Sequence, residues 1–176
     1  MPAAPNDTST PTAFPFDGRP PENGTYGVLP VERLREMAGI DLFRGIIGGD
    51  LPGAPIAKVM NMWIQEAEPG RVVFGGRPEQ QHYNPIGSVH GGFAGTMLDS
   101  AMSCAVQSML PKGQGYTTLE YKVSLLRPIT DRIGAVYAEG KVIQVGGRVG
   151  TAEGRIVDAA GKLYATGTTT CLIFPI

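Results

Sequence analysis

The run Asn84-Pro85-Ile86-Gly87-Ser88-Val89-His90-Gly91-Gly92 leads into FAGTMLDSAMSCA and holds the residues best able to do chemistry. It reads as a polar, glycine-rich loop entering a buried helix. A helix N-terminus presents unpaired backbone N–H groups at the positive end of its dipole. Gly91 and Gly92 carry no side chain, so a ligand oxygen could approach those groups closely. Such a site suits a carbonyl that turns into an oxyanion. Asp99 stands eight residues after Gly91. In mid-helix, within apolar surroundings, a carboxylate is costly unless it is paired, hydrogen-bonded or protonated. The same setting suits a general base. Two readings stay open at this point. His-Gly-Gly could equally be an ordinary turn, with Asp99 accepting a backbone hydrogen bond. His90 alone is more often a hydrogen-bonder than a base. Ser103, one turn beyond Asp99, could partner the carboxylate.

Other chemistries find no template. Ser88 is not in a Gly-x-Ser-x-Gly elbow, and neither a Walker A nor a Gly-x-Gly-x-x-Gly run occurs. Two histidines (His82 and His90) and two cysteines (Cys104 and Cys171) are too few for a zinc finger or ribbon, so no metal is expected. Cysteines without a Cys-x-x-Cys spacing fit a reducing compartment. A net charge of −1 argues against nucleic acid or an anionic membrane as partner. The N-terminus has no basic start and no apolar core of a signal peptide, and residues 91–110 include Asp99 and Gln107, too polar for a lipid span. A cytoplasmic address is expected.

The positioning elements follow from composition and periodicity. Residues 1–28 hold six of the fifteen prolines and few large apolar side chains, which reads as a flexible arm ahead of one domain over 29–176. Helical spacing over 30–38 breaks at Gly39. Asp41 can cap a second short helix carrying Leu42, Phe43, Ile46 and Ile47, which Gly48-Gly49 ends. The period then becomes two, predicting strands over 56–66, 71–77, 116–127, 134–145, 148–158 and 162–173. Within the third, alternation sets Leu119, Tyr121, Val123 and Leu125 on one face, with Thr118 opposite and Thr117 on the face of Leu119. Between the second and third strands, residues 91–110 form one helix, apolar nearly all round and therefore buried. The expected architecture is α+β, a curled antiparallel sheet wrapped around one long central helix. Most of the 25 glycines read as turn and strand-end residues, with Gly39, Gly48 and Gly49 ending helices.

The run NPIGSVHGGFAGTMLDSAMSCAV resembles the signature of the PaaI-type acyl-CoA thioesterases of the hotdog fold. The similarity continues through LPKGQGYTTLEYKVSLLRPIT, GAVYAEGKV, VGGR and GKLYATGTTTCLI, and reaches upstream to GIIGGDLPGAPI, covering about residues 30–173. An Asn six residues before the His of His-Gly-Gly and an Asp nine after it make the match fairly specific.

The resemblance implies a set of roles. The Gly91 N–H would polarise a thioester carbonyl, assisted by Asn84. Asp99, contributed across a dimer interface, would act as general base or nucleophile. His90 would sit near the leaving thiolate or hold the loop, and Thr118 would orient the attacking water. Gly92, Gly147 and Arg148 would bind substrate, Arg148 near the phosphates of coenzyme A. No cofactor is implied beyond the coenzyme A of the substrate. The implied assembly is a homodimer or homotetramer. A hotdog hydratase or dehydratase on acyl thioesters and a non-catalytic acyl-CoA-binding protein are the alternatives. The first needs a His–carboxylate proton relay, and the second usually carries an added DNA-binding domain, for which residues 1–55 show no helix-turn-helix.

Overall fold

The computed structural model describes Phe14, Phe16 and residues 24–176. The arm read over 1–28 therefore lies outside the described residues except for Phe14, Phe16 and 24–28. Three short helices come first: α1 (Val31–Arg35), α2 (Gly39–Ile47) and α3 (Pro55–Val59). The hairpin β1 (Met62–Glu68) and β2 (Arg71–Gly76) precedes α4 (Gly91–Gln107). Then come β3 (Gln114–Leu125), β4 (Val136–Val145), β5 (Val149–Asp158) and β6 (Leu163–Pro175). The strands form one antiparallel sheet in the order β1-β2-β4-β5-β6-β3, and α4 lies against its inner face. The expected curled sheet around a long central helix is the observed fold.

Three local readings are corrected. Residues 55–59 are helical, and the first strand begins only at Met62. Pro55 takes a first-turn position, where its fixed φ and missing N–H cost nothing, and Asn61 turns the chain at φ 46°. Asp41 is not the cap of α2. Ala38 is, and Asp41 sits in the first turn, where the helix dipole favours a carboxylate. Gly39 opens α2 instead of ending a helix. Its N–H donates to the Leu110 carbonyl at 3.0 Å, and a Cβ there would lie 1.7 Å from the Gln107 carbonyl oxygen.

The glycines also need a different reading. Gly140, Gly154 and Gly167 stand in mid-strand and pair across β4, β5 and β6. They form a bare track under α4. A Cβ at Gly140 would lie 2.2 Å from the Ala101 carbonyl oxygen, and one at Gly154 would lie 2.7 Å from Met102 Cγ. With the track clear, Leu98, Ala101 and Met102 are fully buried on the sheet. Burial of a large apolar side chain stabilises by about 1.5–3 kcal/mol. Ser108, just past α4, fastens its end: the hydroxyl accepts the Gly70 N–H at 2.8 Å and donates to the Ala105 carbonyl.

Glu139 precedes Gly140 and so faces the outer side of the sheet. Its carboxylate accepts from Arg71 Nε at 2.7 Å and Arg155 Nε at 2.9 Å, with Lys141 Nζ at 3.6 Å. Burial opposes that charge, but the Arg71 hydrogen bond and the charges of Arg155 and Lys141 outweigh it and hold the carboxyl below its ordinary value. On the same face, Phe14 and Phe16 pack on the buried Tyr137 ring, 5.7 and 5.2 Å away.

Candidate active site

The loop before α4 is closed by short-range bonds. Tyr83 bridges Val89, the Asn84 N–H donates to the Ser88 carbonyl at 2.9 Å, and the His90 N–H donates to the His82 carbonyl at 2.7 Å. Asn84 Oδ1 accepts the Ile86 N–H at 3.0 Å, an Asx turn, and Nδ2 donates to Ser88 Oγ at 3.2 Å. One amide N–H of Asn84 remains to spend on a ligand. Tyr83 anchors the loop from outside, its hydroxyl donating to Asp131 Oδ1 at 2.6 Å. His82 is a strut. Its Nδ1 accepts the Glu79 N–H at 2.9 Å, Nε2 faces the Val59 carbonyl at 3.3 Å, and the ring packs on Phe93.

His90 is the N-cap of α4, and its Nδ1 accepts the Gly92 N–H at 2.9 Å. The neutral ring then carries its proton on Nε2. Of the two glycines, Gly92 has thus given its N–H to the cap. Among the described residues the Gly91 N–H has no acceptor. A Cβ at Gly91 would lie 2.8 Å from Leu125 Cδ1, so glycine also allows β3 to approach the helix start.

Two turns along α4, Asp99 is half-buried. Its Oδ1 accepts the Thr118 hydroxyl at 2.9 Å. Simple alternation had turned Thr118 away. The register between β3 and β6 slips between Thr118 and Glu120, and this bulge reverses the parity of the strand. Tyr116 and Thr118 reach the helix side before it, and Val123 packs against the core after it. Leu119, at the bulge, is left 57% exposed.

Ser103 does not reach Asp99; its hydroxyl pairs with Tyr116 Oη at 3.1 Å, and Cys104 Sγ lies 3.8 Å from the same oxygen. Burial pushes the Cys104 thiol up to about 12 and the Tyr116 hydroxyl well above its usual value. Both are neutral hydrogen-bonding groups at working pH. Sequence reasoning passed over Tyr116, although it stands two residues before Thr118 on one strand face.

Asp99, Thr118 and Tyr116 line a cavity of about 660 Å³ between α4, β3, β1 and the two short helices α2 and α3. Trp63 lines it too, whereas Phe93, Met97 and Met102 belong to the core. Asn84, His90 and Gly91 line a different cavity, of about 280 Å³, with Leu125 and Arg127. Gly147 and Arg148 line a third, of about 270 Å³, at the β4–β5 turn. A Cβ at Gly150, beside that turn, would meet Val106 in the last turn of α4. Within one chain, then, the fold brings Asp99 to Thr118 and Asn84 to His90 and Gly91. It does not join these two groups to each other or to Arg148. Among the described residues no cluster of three His, Cys, Asp or Glu could hold a metal ion, and no helix is long and apolar enough to cross a membrane.

Comparison with known proteins adds a family to which part of the chain is similar. Residues 86–165 match the thioesterase superfamily. A curated protein of Halobacterium salinarum, provisionally assigned as an esterase, is 42% identical over 84 residues, 47% of this chain and 54% of that relative. The match thus spans about half the length of the relative. Among solved structures, a provisionally assigned thioesterase of Ralstonia eutropha, related to phenylacetic acid degradation, is 28% identical with a TM-score of 0.68. That alignment covers 74% of this chain and 98% of the other. A mutant of the phenylacetic acid degradation protein PaaI of Thermus thermophilus is 26% identical with a TM-score of 0.60, over 67% and 97% of the two chains. The resemblance read from the motifs therefore stands: residues 86–165 match the thioesterase superfamily, and the chain has the hotdog fold of the PaaI-type proteins to which it is similar.

Proposed function

We propose that the chain is an acyl-CoA thioesterase, hydrolysing R–CO–S–CoA to the free acid and coenzyme A. The observation that carries this reading is Asp99: a carboxylate held by Thr118 in the wall of an apolar cavity that has no other charged lining residue among those described. A thioester is already activated, so one carboxylate and an oxyanion hole suffice. Asp99 removes a proton from water, whose oxygen attacks the carbonyl carbon. Negative charge gathers on the carbonyl oxygen, which the unspent Gly91 N–H and the free amide hydrogen of Asn84 receive. The C–S bond then breaks, and the thiolate leaves and takes up the proton. Attack by Asp99 itself, through an anhydride that water then opens, uses the same groups.

The distribution of residues over three cavities supports a further step in the proposal. A second copy, lying against the edge strand β3, supplies the loop of 84–91 to the Asp99 of its neighbour. Tyr121 and Leu125 on that strand are 46% and 57% exposed, an apolar surface suited to such a partner. His90 stiffens the loop, and Arg148 meets the phosphates of coenzyme A. A monomer by light scattering at micromolar concentration would sink this assembly.

The test of the activity is thiol release from a panel of acyl-CoAs. Asp99→Asn should lose about 10²–10⁴-fold in kcat with an unchanged melting temperature, the range for a positioned base. Wild type without turnover on any thioester, or a variant as fast as wild type, overturns the proposal.

A further inference from the structure

The Asp99 cavity has two unlike walls. Asp99, Ser100, Ser103, Thr117 and Thr118, from α4 and β3, make one of them polar. The other comes from α2, the connection after it, α3 and β1, with Ile46, Ile47, Leu51, Ala57 and Trp63. That apolar wall lies upstream of residues 86–165, the segment that matches the thioesterase superfamily. We infer that it is the acyl-selecting surface, and that the acyl group it takes is neutral, apolar and larger than a short chain. This inference rests on the thioesterase reading and specifies its substrate.

Size, charge and rigidity each point this way. A volume of about 660 Å³ is many times the roughly 30 Å³ that a water molecule occupies in the liquid. An acetyl group would leave most of it unfilled. Each methylene that leaves water for the apolar wall should improve kcat/KM about four-fold until the space is filled. Among the described residues no lysine, arginine or histidine lines the cavity, so a carboxylate at the far end of an acyl chain would be desolvated without a counter-ion from them and face Asp99. Tyr116 and Cys104 are kept neutral by burial, so neither adds a charge to the cavity.

Trp63 makes the wall rigid. Its indole N–H donates to Gln65 Oε1 at 2.8 Å, and the ring lies over Gly75, where a Cβ would come within 2.5 Å of it. Ile47 is half-buried and is the last residue of α2. A long cationic side chain there can keep its stem on the apolar surface.

The experiment has a kinetic arm and a binding arm. For saturated acyl-CoAs from two to about ten carbons, kcat/KM should climb about four-fold per methylene. An ω-carboxylated ester of the same length should be at least about 100-fold poorer than its neutral counterpart. Ile47→Arg should narrow that gap about ten-fold by supplying a counter-ion. A profile flat or falling with length among esters that are hydrolysed, or equal use of the ω-carboxylated ester, overturns the inference and leaves the thioesterase reading intact.

The binding arm uses Trp63, the one tryptophan of the chain, as reporter. Decanoic acid should shift its emission at lower concentration than hexanoic acid, and decanedioic acid should need a far higher one. That order without turnover of any thioester supports the apolar pocket and overturns the thioesterase reading. No change of emission with decanoic acid overturns the pocket.

Discussion

The two sides of α4 follow opposite rules. Toward the sheet it presents Leu98, Ala101 and Met102, fully buried over the glycine track of Gly140, Gly154 and Gly167. Toward the cavity, on neighbouring positions of the same turns, it presents Asp99 and Ser100 half-buried. One side is specified by the smallness of its partners and the other by hydrogen bonds to β3. The difference shows how a mid-helix carboxylate is tolerated. The sheet side supplies the apolar burial that fixes the helix, and Thr118 offsets part of the desolvation of Asp99.

The largest effect on stability should come from breaking the sheet side. Gly140→Ala puts its Cβ against backbone, 2.2 Å from the Ala101 carbonyl oxygen, where no rotamer change gives relief. The helix must lift, at a cost of about 3 kcal/mol or more, which in a chain of this size lowers Tm by about 6–12 °C. Gly147→Ala is the control, since nothing lies within 4 Å of a Cβ there and its φ is not positive. Equal melting temperatures for the two variants would refute the glycine track.

The cavity side should respond in rate instead. Thr118→Val keeps the shape of the side chain and removes the hydrogen bond to Asp99. The loss of a bond to a charged group predicts a fall in kcat of about 10- to 100-fold, with Tm within about 2 °C of wild type. Thr118→Ser should recover most of the rate. If Val and Ser behave alike, Thr118 does not position Asp99.

What the sequence made legible was what short-range physics controls. The strands over 134–145 and 148–158 were read to within two residues of β4 and β5, because alternation and the Gly146-Gly147 turn are local signals. His90, Gly91 and Asp99 were found because loop, cap and helix adjoin in the chain. Gly140, Gly154 and Gly167 were misread because only strand register places them in a row, and register is not local. Residues 56–59 were misread because Ile-Ala-Lys-Val alternates as well as it spirals, and Pro55 tips the balance. The bulge beyond Thr118 left no sign in the alternation, and so hid the parity that brings Thr118 and Tyr116 to the helix. The apolar wall of the cavity was invisible because α2 and β1 meet α4 only through tertiary packing.

Behind the track, Glu139 tests whether the outer face supports the same strand by charge. Glu139→Gln should cost about 1–3 kcal/mol at pH 7, since Arg71 keeps Glu66 as a second partner at 2.9 Å and Arg155 is half in water. Because folding holds this carboxyl below its ordinary value, its stabilisation is fully present above the unfolded value of about 4.3. It is lost as pH falls through the folded value. The Tm gap between wild type and variant should therefore be widest at pH 6–7 and shrink below about pH 4. A gap independent of pH would mean that packing, not charge, holds Glu139 in place.

The smallest effect belongs to the start of α4, where His90 caps the helix with one hydrogen bond to the Gly92 N–H. Removing a cap costs about 0.5–2 kcal/mol, so His90→Ala should lower Tm by a few degrees. Asn can accept the same N–H, and His90→Asn should restore most of the stability. The pair of variants also separates two jobs at the site. If His90 only stiffens the loop that presents the Gly91 N–H, kcat should follow Tm, falling modestly in the Ala variant and returning in the Asn variant. If its Nε2 proton is passed to the leaving thiolate, Asn restores Tm while kcat stays low and the pH–rate profile changes shape. The first pattern places all the proton chemistry on the middle of α4 and leaves its first turn to backbone amides alone.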